Sequence, residues 1–454
     1  MKNTRKIPLL VGVAAALALG LAACAPGSGS GSTAGQSLGP VSKNVGSDKV
    51  TLTVWDQNTD GGIDTAQQQL NTAFEKKYPN VTIKRVSRSF TDLKTTLKLA
   101  LSGANPPDVV QANQGYPDMG AFVKAGLLRP VNDYADLYGW NDYYPSSLLK
   151  LNSFSSDGKT WQGDKLFGVS QTGELVGVYY NRDILKKLGV EAPTSLTELS
   201  DDMAKAKAQG ILPLSYGDVE KSPGIHLYGV VQGALAGQKK VSDLVTSTSG
   251  AWTDPVNVEA AKTIQDWQNK GYLTPGANGV SRDAAVDTFG KGGSAFLITG
   301  TWYQATLEES SLGKSGVGFT ALKPEGASTP VTTGGEGLAW ALTSKTKHPD
   351  AAAAYVNFVT DKSASETLVK TGNLPTVVPD DDKPADGTLA GDITSEYKTI
   401  SSGNGIVPYL DYTTSTFYDT LTAAMQDLVA GKATPEEFTK TLQADYTKFQ
   451  SSRG

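Results

Sequence analysis

The sequence predicts an α/β fold with room for two domains, and three observations carry that expectation. Between residues 50 and 110, apolar strand-like runs alternate with helical ones in the order strand, helix, strand, helix, strand. That order builds a parallel sheet with helices packed on it. The chain has 454 residues, enough for each of two domains to bury its own core. A long apolar segment in mid-chain, 175–180 (Leu-Val-Gly-Val-Tyr-Tyr), reads as a further buried strand with short helices after it.

Residues 50–55 (Val-Thr-Leu-Thr-Val-Trp) alternate and form the first predicted strand. Ala66, Leu70, Ala73 and Phe74 give a helical face that ends at Pro79. Residues 81–86 alternate again. Leu93, Leu97 and Leu101 line the next helix, stopped by Gly103 and the Pro106-Pro107 pair. Asp108-Val109-Val110 opens the third strand, with Asp108 itself read as a cap or turn residue. After the 175–180 strand, Asn181 can cap a helix with Ile184, Leu185 and Leu188 on its apolar face and Gly189 at its end. Pro193 bars continuation, and Ser195 with Glu198 forms a capping box for the helix that follows. Further on, the pattern predicts a helix at 257–270, a strand at 294–299 closely followed by Trp302, a strand at 338–342 and a helix through Ala351, Ala354, Tyr355, Phe358 and Val359. A helix opened by the capping box Thr434-Pro435-Glu436-Glu437 comes near the end.

The N-terminus reads as a targeting segment. Lys2, Arg5 and Lys6 precede an apolar run at 9–21, and Leu21-Ala22-Ala23-Cys24 matches a bacterial lipobox. The expectation is a signal peptide over 1–23 and a diacylglycerol on Cys24, which would be the link to the lipid bilayer. Cys24 is also the single cysteine, so neither an intramolecular disulfide nor a cysteine zinc site can form. Residues 24–47 are rich in Gly, Ser and Pro and read as a tether that cannot bury a core. Without the leader the chain carries 38 basic against 46 acidic residues, and this acidic balance with no long basic run argues against nucleic acid as a partner. Lys84, Arg85 and Arg88 cluster but read as a solvated edge.

Several separated segments share one resemblance. They include Leu52-Thr53-Val54-Trp55-Asp56, Phe74-Glu75-Lys76-Lys77-Tyr78-Pro79-Asn80-Val81, Ala125-Gly126-Leu127-Leu128-Arg129-Pro130-Val131 and Tyr180-Asn181-Arg182-Asp183-Ile184-Leu185. Ile298-Thr299-Gly300-Thr301-Trp302, Gly334-Gly335-Glu336-Gly337 and Ala430-Gly431-Lys432-Ala433-Thr434-Pro435 follow in the same order. Together they resemble the extracellular sugar-binding proteins of ABC transporters, the group that includes maltose-binding protein. The resemblance implies two α/β lobes joined by crossover hinge strands, with a sugar between them and a hinge that closes. It implies one lobe at 48–167 with 332–376, the other at 168–331 with 377–454, no cofactor, a membrane permease as partner and a monomer.

Sugars present hydroxyl rims and apolar faces, so a sugar site needs planar hydrogen-bonding groups beside aromatic platforms. Polar residues at strand ends, where open α/β sheets bind ligands, are Asp56, Gln57 and Asn58, then Gln111, Asn113 and Gln114, then Glu174 and Glu336 with the adjoining Gly335. By the resemblance, Glu174 points into the ligand cleft, Trp302 stacks on a sugar ring, and Tyr418 stands where the family has a second stacking Trp. Trp340, inside a strand, reads as core. Asp56-Gln57-Asn58-Thr59-Asp60-Gly61 also fits the start of a calcium loop, but Gln67 occupies the position of its bidentate Glu. A carboxylate pair such as Asp56 and Glu174 is the seed of an enzymatic alternative, a glycoside-acting enzyme. His226 and His348, the two histidines, lie far apart in sequence, and Gly290-Lys291-Gly292 lacks the rest of a phosphate loop.

Overall fold

The computed structural model describes residues 39–379 and 383–452. Cys24, the leader and residues 25–38 of the Gly/Ser-rich stretch lie outside the described residues. Residues 41–45 run along folded structure. Val41 and Val45 pack on apolar side chains, and the Ser42 amide donates to Asp350 Oδ1 at 3.0 Å.

The strands in chain order are β1 (Val50–Asp56), β2 (Val81–Ser87), β3 (Val109–Ala112), β4 (Ser153–Phe154), β5 (Lys165–Leu166), β6 (Gly168–Ser170), β7 (Gly173–Asn181), β8 (Leu212–Ser215), β9 (Ser294–Gly300), β10 (Val317–Thr320), β11 (Thr332–Glu336), β12 (Ala339–Leu342) and β13 (Ile406–Val407). They sort into two main sheets and the small β4-β5 ribbon. The first sheet has the order β2-β1-β3-β12-β6. As the strand–helix alternation predicts, β1 runs parallel to β2 and β3. β12 closes the row antiparallel to β3 and β6. The second sheet has the order β13-β11-β7-β9-β8, with β10 also on β7. Helices cover both sheets, giving the two-lobed α/β architecture.

Leu52, Val54 and Val109 of the first sheet bury against Phe74, Tyr355 and Val356 of the covering helices. Trp340, fully buried in β12, belongs to that core and donates its ring N–H to Gln171. In the second sheet Leu175, Tyr179 and Phe319 pack against Ile393 and Tyr397.

Helix ends follow local chemistry. Asn181 Oδ1 accepts from the amides of Asp183 and Ile184, and Gly189 ends that helix in the left-handed conformation. Thr434 and Glu437 make the complete capping box. At Ser195 only half of the expected box forms. Its hydroxyl accepts from the Glu198 amide, but the Glu198 carboxylate is taken by the amide and hydroxyl of Thr194.

Of the basic cluster only Lys84 is a solvated edge residue; the two arginines are engaged. Arg85 lies half-buried between Asp56 and Asp64, with both ion pairs at 2.6 Å, and the Arg88 guanidinium lies 4.5 Å from the Trp55 ring centroid. Two carboxylates and an indole face outweigh the hydration of these guanidinium groups.

Three chain crossings lie side by side between the sheets. The chain passes from β6 to β7 at 171–172 and from β11 to β12 at 337–338. A third segment bonds along the first crossing, with Gly173 N donating to Leu374 O and Thr376 N to Gln171 O. The Gly337 amide ties the second crossing to Thr172 O at 2.9 Å. Among the described residues no helix is long and apolar enough to cross a membrane.

Candidate ligand cleft

Beside these crossings is a cavity of about 250 Å³, toward the small end of ligand clefts. It draws its lining from both sheets and from the helices around them. Of the eleven residues predicted at the site, eight line it: Gln57, Asn58, Gln111, Asn113, Glu174, Trp302, Glu336 and Tyr418.

The other three do not. Gln114 is buried behind the wall, its amide donating to Gly337 O and accepting from Tyr412 OH. Asp56 is fully buried and held by Arg85, Ser87 and the Asn58 amide. Its carboxylate serves the loop rather than a ligand, because a buried carboxylate with a guanidinium beside it has its charge already answered. Asp56 and Glu174 therefore form no carboxylate pair across the cleft. The same network occupies the stretch whose residues fit the start of a calcium loop, where Asp56 and Asp64 both clasp Arg85. Gly335 sits in β11 opposite Glu174 with φ +118°, and its carbonyl accepts from Tyr397 OH.

Strand ends place the polar wall. Just after β1, the Gln57 amide donates to Gln111 Oε1 at 2.8 Å, and Gln111 Nε2 reaches Asn58 Oδ1 at 3.3 Å. Asn58 is anchored in turn by Gln67. These side chains hold one another, which fixes the polar groups they present to the cavity. Asn113 is oriented by Asp118 on one side and by Tyr412 on the other, both at 3.1 Å.

Two glutamates stand at the crossings. Glu174, the second residue of β7, accepts from Tyr409 OH at 3.0 Å. Burial pushes its carboxyl up to about 7, with the tyrosine bond pulling the other way. Glu336 ends β11 with 2% of its surface exposed and accepts from Asn152 Nδ2 at 2.6 Å. Burial holds it well above the usual carboxylate range, against the pull of Asn152, and the Glu174 charge adds to the rise.

The aromatic wall comes from three places. Trp302 lies in the short turn Thr301–Tyr303 directly after β9, half-buried, with the His226 ring 5.1 Å away centre to centre. Tyr409 and Tyr412 come from the turn around Leu410–Thr413, their rings 5.6 Å apart. Tyr418 lies at the start of helix Phe417–Val429, and Lys94 Nζ sits 4.4 Å from its ring centroid.

Sequence reasoning missed five cleft residues that bear on chemistry: His226, Arg282, Tyr409, Asp411 and Tyr412. His226 belongs to the first turns of helix Ser222–Ala236, not to a strand end. Its Nδ1 has no partner among the described residues, and burial pushes its pKa down to about 3, so the imidazole is neutral. Tyr409, Asp411 and Tyr412 sit in a segment with no periodicity. Its one signal was two tyrosines flanking an aspartate. Among the described residues no group of three or more His, Cys, Asp or Glu is placed to hold a metal ion.

The two lobes, the three crossings and the walled cavity between them define a solute-binding protein of the two-lobed type. A family model for bacterial extracellular solute-binding proteins matches residues 59–366, and the chain belongs to that family. An uncharacterised ABC transporter extracellular-binding protein of Pyrococcus horikoshii is 25% identical over 89% of both chains. A multiple sugar-binding protein of Streptococcus mutans is 23% identical over 73% of this chain and 76% of its own. The solved structure of a chitin oligosaccharide binding protein superimposes with a TM-score of 0.77 at 22% identity, covering 89% of this chain and all of the other.

Proposed function

We propose that the protein is a lipid-anchored extracellular receptor that captures a sugar, in particular an oligosaccharide, and hands it unchanged to the membrane permease of an ABC importer. The observation that carries this reading is the composition of the cleft, where amide and carboxyl side chains stand among the rings of Phe90, Trp302, Tyr303, Tyr409, Tyr412 and Tyr418. Planar hydrogen-bonding groups meet sugar hydroxyls, and rings meet the C–H faces. The name of the Streptococcus mutans relative, a multiple sugar-binding protein, points the same way.

In this reading Gln57, Asn58, Gln111, Asn113, Glu174 and Glu336 hydrogen-bond the sugar, Trp302 and Tyr418 stack on it, and His226 offers its neutral edge. The expected lobes are 48–167 with 332–376 and 168–331 with 377–454, shifted by a few residues because β6 joins the first sheet and β11 the second. The sheet partners of β6 and β11 favour drawing the crossings themselves at 171–172 and 337–338. The protein acts as a monomer, held at the outer face of the membrane through Cys24. The lipobox Leu21-Ala22-Ala23-Cys24 supports the anchor.

A thermal-shift screen against mono- and oligosaccharides tests the central claim, because a ligand that binds the native state stabilises it by mass action. A saccharide that raises the melting temperature in a dose-dependent way is the expected result. A panel spanning the common hexoses, pentoses and their oligomers that leaves the melt unmoved would sink it.

A further inference from the structure

The charge on the cleft wall is lopsided. Asp60, Glu174, Asp283, Glu336 and Asp411 face the cavity, and the one permanent cation among its lining residues is Arg282. Arg282 is spoken for by Asp283 at 3.5 Å, with the Tyr303 ring 5.7 Å from it. His226 adds no charge at neutral pH. Lys94, just behind the wall, is committed to Asp118 at 2.5 Å.

Four of the five acids are without a cation, and of these Asp60 is exposed to solvent while the other three are withdrawn from it. Glu174, Glu336 and Asp411 make no ion pair among the described residues. Asp411 is the barest of them. It is 5% exposed, it lines the cavity, and no other described residue donates a hydrogen bond to its carboxylate. Its neighbours Tyr409 and Tyr412 do not reach it. Their hydroxyls go to Glu174 and to the side-chain oxygens of Asn113 and Gln114. A carboxylate taken out of water with no ion pair and no donor but its own amide is costly, so it takes up a proton or a counter-charge more readily than an exposed one.

We infer that the saccharide taken by this cleft carries a protonated amine, with Asp411, Glu174 and Glu336 as its counter-charges and the surrounding rings as its cation-accepting faces. The inference rests on the sugar-receptor reading and narrows it. A neutral sugar's hydroxyls can donate to these carboxylates, but they bring no charge to offset the burial. An ammonium group brings the charge and three donors together, and it is drawn to aromatic faces as well. The region already hosts one such contact, the Lys94 ammonium over Tyr418.

Proton linkage follows from the same arrangement. Burial pushes Asp411 up to about 6, with the Lys94 charge pulling it down, and Glu174 up to about 7. An amine ligand must find these groups ionised, so its binding weakens as pH falls from 7 to 5 and they take up protons. A neutral sugar lacks that penalty.

Calorimetry on the full extracytoplasmic chain separates the two. Matched disaccharides of gluco, galacto and manno configuration, each with an amine, an N-acetylamine or a hydroxyl at C2, are titrated at pH 7 and pH 5. The amine form should bind about tenfold or more tighter than its hydroxyl and N-acetyl partners at pH 7, and most of that advantage should vanish at pH 5. Asp411→Asn keeps the shape and should cut the amine-to-hydroxyl affinity ratio by about fivefold or more, with a thermal melt confirming that it folds. Equal or tighter binding of a neutral partner, or a ratio unchanged in Asp411→Asn, overturns the inference while leaving the sugar receptor standing. If saccharides of all three kinds fail to bind, the sugar reading falls and this one with it.

Discussion

Trp302 owes its position to the residue two places before it. A Cβ built on Gly300 would lie 1.9 Å from Cζ3 of the indole, so the ring rests directly on the Gly300 backbone. With one face there, the ring is free to offer the cavity another. Burying an aromatic face against a sugar is worth roughly 1.5–3 kcal/mol. Trp302→Ala should therefore weaken sugar binding about tenfold or more while the folded state survives. Gly300→Ala, which keeps the indole but pushes it off its seat, should lose affinity in the same direction. Calorimetry beside a denaturant melt checks both. Unchanged affinity with a collapsed melt would return Trp302 to the core, where truncation costs about 3–5 kcal/mol.

Glu174 carries a pH signature of its own. Its ordinary pKa of 4.5 is raised to about 7 in the folded protein. A carboxyl raised in this way stabilises the fold fully below pH 4.5, and that contribution is lost as pH climbs through 7. Glu174→Gln mimics the protonated form. It should make the unliganded protein more stable than the parent at pH 8, by at most about 1–2 kcal/mol given the solvent that reaches the cleft, and no more stable at pH 4. Urea melts at the two pH values decide it. A constant difference at both would show that the titration is not the cause.

What could be read from single residues depended on where their partners lay. Glu174 and Glu336 were legible because strand ends in α/β proteins face ligands. Asp56 met the same criterion and failed it, since its partner Arg85 is 29 residues away and pairs with it only once β1 and β2 lie side by side. His226 was invisible because a helix interior gives no sign of which face meets a cavity.

At the scale of elements the strands were legible and their edges were not. The expected strand at 175–180 extends from Gly173 to Asn181 because β11 pairs with its beginning, setting Gly334 opposite Leu175 and Gly335 opposite Glu174. That pairing needs glycine. Gly334 has φ +150°, and a Cβ there would fall 2.3 Å from the carbonyl oxygen of Glu174. Gly334→Ala should cost on the order of 1–3 kcal/mol and displace the Glu174 side chain from the cleft. A denaturation midpoint equal to the parent's would show that β7 and β11 can separate at no cost. The turn at 410–413 has no periodic signal, and tertiary packing makes it a cleft wall. It lies against the helices Ser222–Ala236 and Phe417–Val429 while Tyr412 reaches the first lobe.

In the proposed reading the whole molecule joins a lipid anchor at Cys24 to a two-lobed receptor. Cys24→Ala should abolish lipidation and shift the protein from the membrane fraction to the medium or to an unprocessed precursor. Radiolabelled palmitate still entering the mutant would dismiss the lipobox reading. Motion is the second property of that scale. Three crossings lying side by side let one lobe turn against the other without breaking either sheet, the geometry of a hinge. Tyr412 works against that turn. Its hydroxyl, carried by a turn packed on the second lobe's helices, lies 3.1 Å from Asn113 Oδ1 and 3.0 Å from Gln114 Oε1 of the first. One hydroxyl proton can serve one of these oxygens at a time, so the contact is worth about 0.5–1.5 kcal/mol. Tyr412→Phe removes it and keeps the ring, which still packs on Trp161 at 5.7 Å. The open form of the unliganded protein should gain roughly two- to tenfold in population. Small-angle scattering should then show a larger radius of gyration without sugar, and the same radius as the parent at saturating sugar, where ligand contacts hold the lobes together. Apparent affinity should fall by a similar factor, because each binding event must also close the lobes. Scattering identical to the parent's in the free state would mean that Tyr412 touches the ligand but does not latch the lobes.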